Sequence, residues 1–230
     1  MGDVLKAIKG GLIVSCQALE HEPLHGPHIM RKMSAAAIEG GAIGIRCNSP
    51  QDISAIKEEV QVPIIGLYKQ VYSDSSVYIT PTLKEVDEVV AAGADIVATD
   101  ATKRLRPYGE TLEEFMQKVR SKYPKLLLMA DVSNLEEAIT AEKLGFDLVS
   151  TTMAGYTEYT QHITSCDMQL LKEALEKLSV PVLAEGRVKT PEEAAQCMKI
   201  GAYAVIVGSA ITRPQEITKD FVSAITSTKK

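Results

Sequence analysis

The stretch KIGAYAVIVG, residues 199–208, joins the end of one helical pattern to a buried strand through a single glycine, and its recurrence decides the fold. The same joint returns as EGGAIGIR (39–46), AAGADIVAT (91–99) and KLGFDLVST (143–151). Glycine suits it because the residue after a helix C-cap often turns left-handed, which costs glycine no steric penalty. Gly41, Gly93, Gly145 and Gly201 stand 52, 52 and 56 residues apart. Each gap holds one further strand and helix, so the unit is half the interval, the length of one βα repeat.

Helix starts carry matching signals. Thr190-Pro191-x-Glu193 offers a cap, a proline at the first helical position and a capping-box glutamate; Thr82-x-x-Glu85, Thr111-x-x-Glu114 and Ser133-x-x-Glu136 repeat the box, and Ser49-Pro50 gives a cap and a proline. Strands are then expected over residues 12–16, 42–46, 64–68, 95–99, 126–130, 147–150, 182–185 and 204–207. Eight evenly repeated parallel units favour a closed α/β barrel, the (β/α)₈ TIM barrel, as a single domain over residues 1–230. No G-x-G-x-x-G follows the first strand to argue for a dinucleotide fold.

Composition agrees and narrows the function. With 230 residues, 45% of them hydrophobic, the chain can bury a full core. The formal net charge is −5 and no Lys/Arg run reaches the density that a phosphodiester backbone or an anionic membrane would call for, so neither nucleic acid nor membrane is an expected partner. The N-terminal MGDVLKAIKG lacks a secretory apolar core, which makes the cytoplasm the expected location. Cys16, Cys47, Cys166 and Cys197 form no C-x-x-C pair and are expected to be reduced core thiols.

The run VPIIGLYKQ (62–70) is apolar enough for a strand covered on both faces, yet it closes on Lys69. In a TIM barrel the active site lies at the strands' C-terminal ends, and the polar residues closing the apolar runs are Gln17, Arg46, Lys69, Asp100, Asp131, Thr151 or Thr152, and Glu185. Taken singly, each reads as an ordinary rim residue; as a set they need partners. His21-Glu22-Pro23-Leu24-His25 fits H-E-x-x-H, but Pro23 breaks the helix that a zinc site of this kind requires, and the segment reads as a loop over the barrel mouth. The loops after the seventh and eighth strands, Ala184-Glu185-Gly186-Arg187 and Val207-Gly208-Ser209 through Arg213, carry glycine where such barrels bring backbone N–H groups to a phosphate. For Lys69 and Glu185 two readings stay open on pattern alone: an ion pair neutralising two charges, or a desolvated base and its acid partner.

SCQAL (15–19), GIRCN (44–48), YKQ (68–70), DATKRLRP (100–107), MADVS (129–133), STTMAGYT (150–157), LAEGRVKTPEEA (183–194) and VGSAITRP (207–214), in this order, resemble the N-acetylmannosamine-6-phosphate 2-epimerase family over essentially the whole chain. The resemblance implies an epimerase of bacterial sialic acid catabolism, interconverting N-acetylmannosamine 6-phosphate and N-acetylglucosamine 6-phosphate without cofactor or metal. Lys69 becomes the acid/base at C2 and Glu185 its catalytic partner. Gln17, Arg46, Asp131, Thr152 and Arg213 fall on substrate-holding positions, with Gly186, Gly208 and Ser209 around the phosphate. A proton on C2 is acidic only when C1 is a carbonyl, so the ring must open first. A Schiff-base aldolase acting through Lys69 and a silent sugar-phosphate binder remain the alternatives. By analogy with other such barrels a homodimer is open.

Overall fold

The computed structural model describes residues 2–228. Strands β1 (Leu12–Cys16), β2 (Gly44–Asn48), β3 (Ile64–Leu67), β4 (Ile96–Asp100), β5 (Leu127–Asp131), β6 (Leu148–Ser150), β7 (Val182–Leu183) and β8 (Val205–Val207) run parallel, each bonded to its neighbour in sequence, with β1 also pairing β8. Ala184 closes the ring between β7 and β8: its N–H donates to Ala204 O (3.1 Å) and its carbonyl accepts from Ile206 N (2.9 Å). The eight-stranded barrel of the sequence reading is therefore present.

Helix α1 (Gly2–Ala7) precedes β1, and α2 (Pro27–Glu39), α3 (Pro50–Glu59), α4 (Leu83–Ala91), α5 (Leu112–Lys122), α6 (Leu135–Lys143), α7 (Met168–Lys177) and α8 (Pro191–Ile200) follow β1 to β7 in turn. After β8 come a one-turn helix α9 (Ser209–Thr212) and α10 (Pro214–Ser227). The joint glycines Gly41, Gly93, Gly145 and Gly201 all have positive φ, from 87° to 118°. Capping boxes form at Thr82, Thr111 and Thr190, and Ser49 caps α3 ahead of Pro50.

Two expectations shift. The second strand begins at Gly44 rather than residue 42, because Ala42 N still bonds back to Ala37 O and the ladder with β1 starts at Ile13 opposite Gly44. The box expected at Ser133 and Glu136 moves one residue on. Asn134 Oδ1 caps Glu137 N (3.0 Å), while buried Ser133 donates its hydroxyl to Glu137 (2.7 Å).

Strand residues alternate between two cores. Ile13, Ile65, Leu67, Ile96, Ala98, Met129, Leu148, Leu183 and Ile206 fill the barrel, whereas Val14, Cys16, Ile45, Cys47, Ile64, Val97, Leu128 and Val149 pack outward against the helices. Helix α1 closes the N-terminal end, where Val4 and Leu5 meet the inner core and Tyr203 donates its hydroxyl to Leu5 O (2.9 Å). All four cysteines are buried free thiols, Cys166 and Cys197 with sulfurs 3.7 Å apart. Among the described residues no helix is long and apolar enough to cross a membrane.

Candidate active site

The inward parity that fills the barrel continues past the apolar residues. One or two steps further along, the same face of each strand presents Gln17, Arg46 and Asn48, Lys69, Asp100, which is buried and paired with Arg104, Asp131, Thr152, Glu185 and Gly208. All of these except Asp100 and Asp131 line one cavity of about 880 Å³ at the strands' C-terminal end, together with Gly186, Ser209 and Arg213.

Arg46, 1 % exposed, is the centre of the polar layer. It grips Asp131 through two bonds, Nη1 to Oδ1 (3.0 Å) and Nη2 to Oδ2 (2.6 Å), and donates through Nη1 to Glu185 as well. Asp131 departs from the expected substrate contact. It lies beneath the arginine at 0 % exposure, out of the cavity, with both oxygens committed to Arg46. Thr152 Oγ1 stands 2.7 Å from Asp131 Oδ1 and 2.8 Å from Glu185 Oε2. One hydroxyl proton can serve only one carboxylate at a time, so a proton on the other carboxyl satisfies the second contact. That proton fits Glu185, whose pKa is raised by burial and by Asp131, with Arg46, Thr152 and Ser150 opposing. Gln17 Nε2 donates to Ser15 (2.8 Å), whereas Gln17 Oε1 and Arg46 Nε are buried with no protein partner among the described residues.

Lys69 leaves β3 into this cavity. Its backbone N–H donates to Asn48 Oδ1 (2.8 Å), so the asparagine closing β2 sets the lysine's departure angle. Burial, followed by Arg46 and Arg213, pulls its amine down to about 8, while Glu185 and Asp131 pull the other way. An amine so placed is neutral in a useful fraction near neutral pH.

The loops after β7 and β8 border the same space. Gly186 has φ 97°, and a Cβ there would stand 3.3 Å from the carbonyls of Thr151 and Thr152. Helix α9 starts at Ser209 with no side-chain cap, Gly208 and Ser209 line the cavity, and Gly208 O accepts from Ile211 N and Thr212 N. The two arginines divide. Arg187 is spent on the loop after β6, donating to Ala154 O (2.6 Å) and Gly155 O (2.9 Å) and stacking on Tyr156 at 3.9 Å. Arg213 keeps one ion pair, Nη2 to Glu22 Oε2 (3.0 Å). Glu22 also accepts from Leu19 N and Gln215, so the H-E-x-x-H segment serves as a latch between the β1 and β8 loops. Cavity residues outside the set read from sequence include Asn48, Asp52, Tyr78 and Met153. Asn48 alone carried a signal, as the inward-parity residue after Arg46.

A closed parallel barrel with a lysine, a glutamate and an arginine at its C-terminal mouth, flanked by glycine loops after β7 and β8, has the layout of a phosphate-binding (β/α)₈ enzyme. Residues 30–227 match the family described as "Putative N-acetylmannosamine-6-phosphate epimerase". A relative from Caldanaerobacter subterraneus subsp. tengcongensis, named "Putative N-acetylmannosamine-6-phosphate 2-epimerase", is 56% identical over 223 residues, 97% of this chain and 94% of that one. A relative of the same name from Listeria welshimeri is 54% identical over 222 residues, 96% of this chain and 94% of that one. The solved N-acetylmannosamine-6-phosphate 2-epimerase of Clostridium perfringens matches with a TM-score of 0.92 at 50% identity, covering 96% of this chain and 95% of that one. The chain belongs to the N-acetylmannosamine-6-phosphate epimerase family.

Proposed function

We infer that this protein interconverts N-acetylmannosamine 6-phosphate and N-acetylglucosamine 6-phosphate by moving the proton on C2. The observation that carries the reading is Lys69: an amine depressed to about 8, in one cavity with the Arg46–Glu185 pair. Glu185, inclined to hold a proton, gives it to the ring oxygen and receives one from the C1 hydroxyl as the pyranose opens. The aldehyde now acidifies C2–H, and neutral Lys69 removes that proton. The C1 enolate oxygen that develops meets the donors of Arg46, which Asp131 holds in place from below. Gln17 Oε1, free of protein partners, is an acceptor for a sugar hydroxyl. Return of the proton to the opposite face of C2 completes the inversion. Gly186, Gly208, Ser209 and Arg213 hold the phosphate, and Thr152 sets the proton balance of Glu185.

The test is proton NMR of N-acetylmannosamine 6-phosphate in D₂O. Formation of the gluco epimer with deuterium at C2, abolished by Lys69→Ala, is the expected outcome. Undiminished C2–H signal despite demonstrated binding would sink the reading, and borohydride trapping of a lysine adduct would turn it toward the aldolase.

The working form is a homodimer built by exchange of α10. This helix follows β8 but does not return across the barrel. Residues 218–228 are all exposed, including Phe221, Val222 and Ile225 on one apolar stripe. Beside α8 an apolar groove of about 390 Å³ stays open over β8 and β1, lined by Leu12, Ala194, Met198, Val205 and Val207. A second copy's α10 has the complementary face for it. The four free thiols support a reducing, cytoplasmic setting.

A further inference from the structure

Two arginines of this protein are buried to 1 % exposure, and they are held in opposite ways. Arg46 faces two carboxylates. Arg106, on the loop after β4, has no carboxylate within ion-pairing distance among the described residues. Its Nη1 donates to Thr80 O (3.3 Å) and Pro81 O (2.8 Å), its Nη2 to Thr99 Oγ1 (3.0 Å) and Asp100 O, and its plane lies 3.7 Å over the Phe115 ring. Burial pulls its pKa down to about 10, against the pull of Asp100, Glu110 and Glu85. Burying a guanidinium without a counter-ion is costly, and an apolar residue would pack against Phe115 at less expense.

Two of the carbonyls it gathers, those of Thr80 and Pro81, belong to the limb by which the loop after β3 returns to the barrel, and the third, that of Asp100, ends β4. Thr80, fully buried, holds a left-handed conformation (φ 45°) that β-branched residues adopt only when their surroundings compel it. Its N–H donates to Tyr68 O (2.9 Å), and its Oγ1 accepts from Tyr68 N (3.1 Å) while donating to Ala98 O (2.7 Å). Ile79 bridges Lys69 in antiparallel fashion, and Gln70 N donates to Tyr78 O (3.0 Å). The backbone on either side of Lys69 is thus bonded to residues 78–80, and the end of that limb is pinned by Arg106.

We propose that Arg106 is a positioning residue for Lys69, acting through Thr80: the guanidinium gathers the carbonyls of residues 80, 81 and 100 and so fixes the loop limb that holds the lysine in the cavity. The proposal rests on Lys69 as the C2 base. It accounts for a charge that has no ion pair and reaches no substrate.

The experiment compares epimerisation rates against pH for the unaltered protein, Arg106→Met, Thr80→Ala and Thr80→Ser, with Lys69→Ala as control and thermal unfolding of each. Misplacing a reacting group by about 1 Å is enough to lose ~100-fold in rate, so kcat is expected to fall about tenfold or more in Arg106→Met and Thr80→Ala. KM should stay within about twofold, because the residues proposed to hold the phosphate, Gly186, Gly208, Ser209 and Arg213, lie on other loops. The acid limb of the kcat/KM profile should move to higher pH as the loosened amine regains water. Thr80→Ser, which keeps the hydroxyl, should restore most of the rate. A lowered unfolding temperature with kcat and the pH limb unchanged would make Arg106 and Thr80 merely structural and overturn the proposal. If Arg106→Met does not fold, the Thr80 pair decides by the same criteria. Full activity in Lys69→Ala would remove the base itself and with it the ground for a positioning role, a failure distinct from the first.

Discussion

A lysine that is to accept a carbon-bound proton must first lose its own, and its neighbours decide at what pH that happens. Lys69 is depressed to about 8 by burial, Arg46 and Arg213, in that order. Below that pH the amine is charged and cannot act as a base. The rate should therefore rise as pH rises through about 8. Arg213→Gln removes one depressing charge, so the amine's pKa climbs toward its ordinary value and the limb of kcat/KM shifts to higher pH; initial rates across the neutral and alkaline range read this directly. The same substitution also raises KM for the phosphorylated sugar, because a charge-assisted contact is lost. Asp131 makes a different prediction. Truncating it leaves Arg46 buried with Glu185 as its only carboxylate partner among the described residues. Asp131→Ala is expected to cost about 3 kcal/mol in urea unfolding, the penalty of breaking a buried ion pair from one side. Activity should fall as well, since the guanidinium loses the bidentate grip that aims it.

At the scale of elements, the turn after β7 is a tightly constrained piece of backbone at the site. Gly186→Ala places a Cβ 3.3 Å from two carbonyl oxygens at φ 97°. The left-handed region costs an L-residue roughly 1–2 kcal/mol, and relief can come only by moving the loop that faces the phosphate. Raised KM with a modest loss of unfolding temperature is the expected pair of readings. Thr190→Ala, at the start of the next helix, removes the cap bond to Glu193 N and should cost about 1 kcal/mol in stability with the kinetics unchanged. The contrast between these two neighbours separates site backbone from scaffold. Much of this level was legible in the sequence, because glycine joints and Thr-x-x-Glu boxes report local backbone chemistry that tertiary context did not override. The sequence marked Gln17, Lys69 and Glu185 as the polar ends of apolar runs, and in the structure period-two alternation puts them on the inner face with Ile13, Ile65 and Leu183. Asp131 shares that parity, yet it ends beneath Arg46 rather than in the cavity, because a guanidinium reaching across the barrel covers it. Such cover depends on side-chain length and strand stagger. Arg187 bonds loop carbonyls, and Arg106 bonds loop carbonyls together with Thr99 and Asp100 at the end of β4; no spacing in the chain encodes which loop passes over which.

For the whole molecule, the repeat that builds the barrel stops one helix short. Seven strands are followed by helices that return across the outside, while the helix after β8 extends away with its side chains exposed. A stripe of Ile217, Phe221 and Ile225, spaced four apart, lies on one face of α10, and singly charged Lys219 and Asp220 lie off that stripe. Left in water, such a face and the open groove over β8 and β1 would each expose apolar area; exchanged between two copies, each covers the other. Exchange uses the same surfaces twice, so the assembly closes at two copies and cannot grow into a filament. Phe221→Asp puts a charge into the groove on both sides at once. Sedimentation or light scattering should show a dimer for the unaltered chain and a monomer for the variant, and the unfolding temperature of the unaltered chain should rise with protein concentration while that of the variant does not. Because the groove is lined by β8 and by Ala210 of α9, the strand and helix that flank Gly208 and Ser209 of the proposed phosphate site, the monomeric variant is also expected to bind the phosphorylated sugar more weakly. A monomer in both cases would mean that α10 closes onto its own barrel, and the groove would then be found protected from solvent within a single chain.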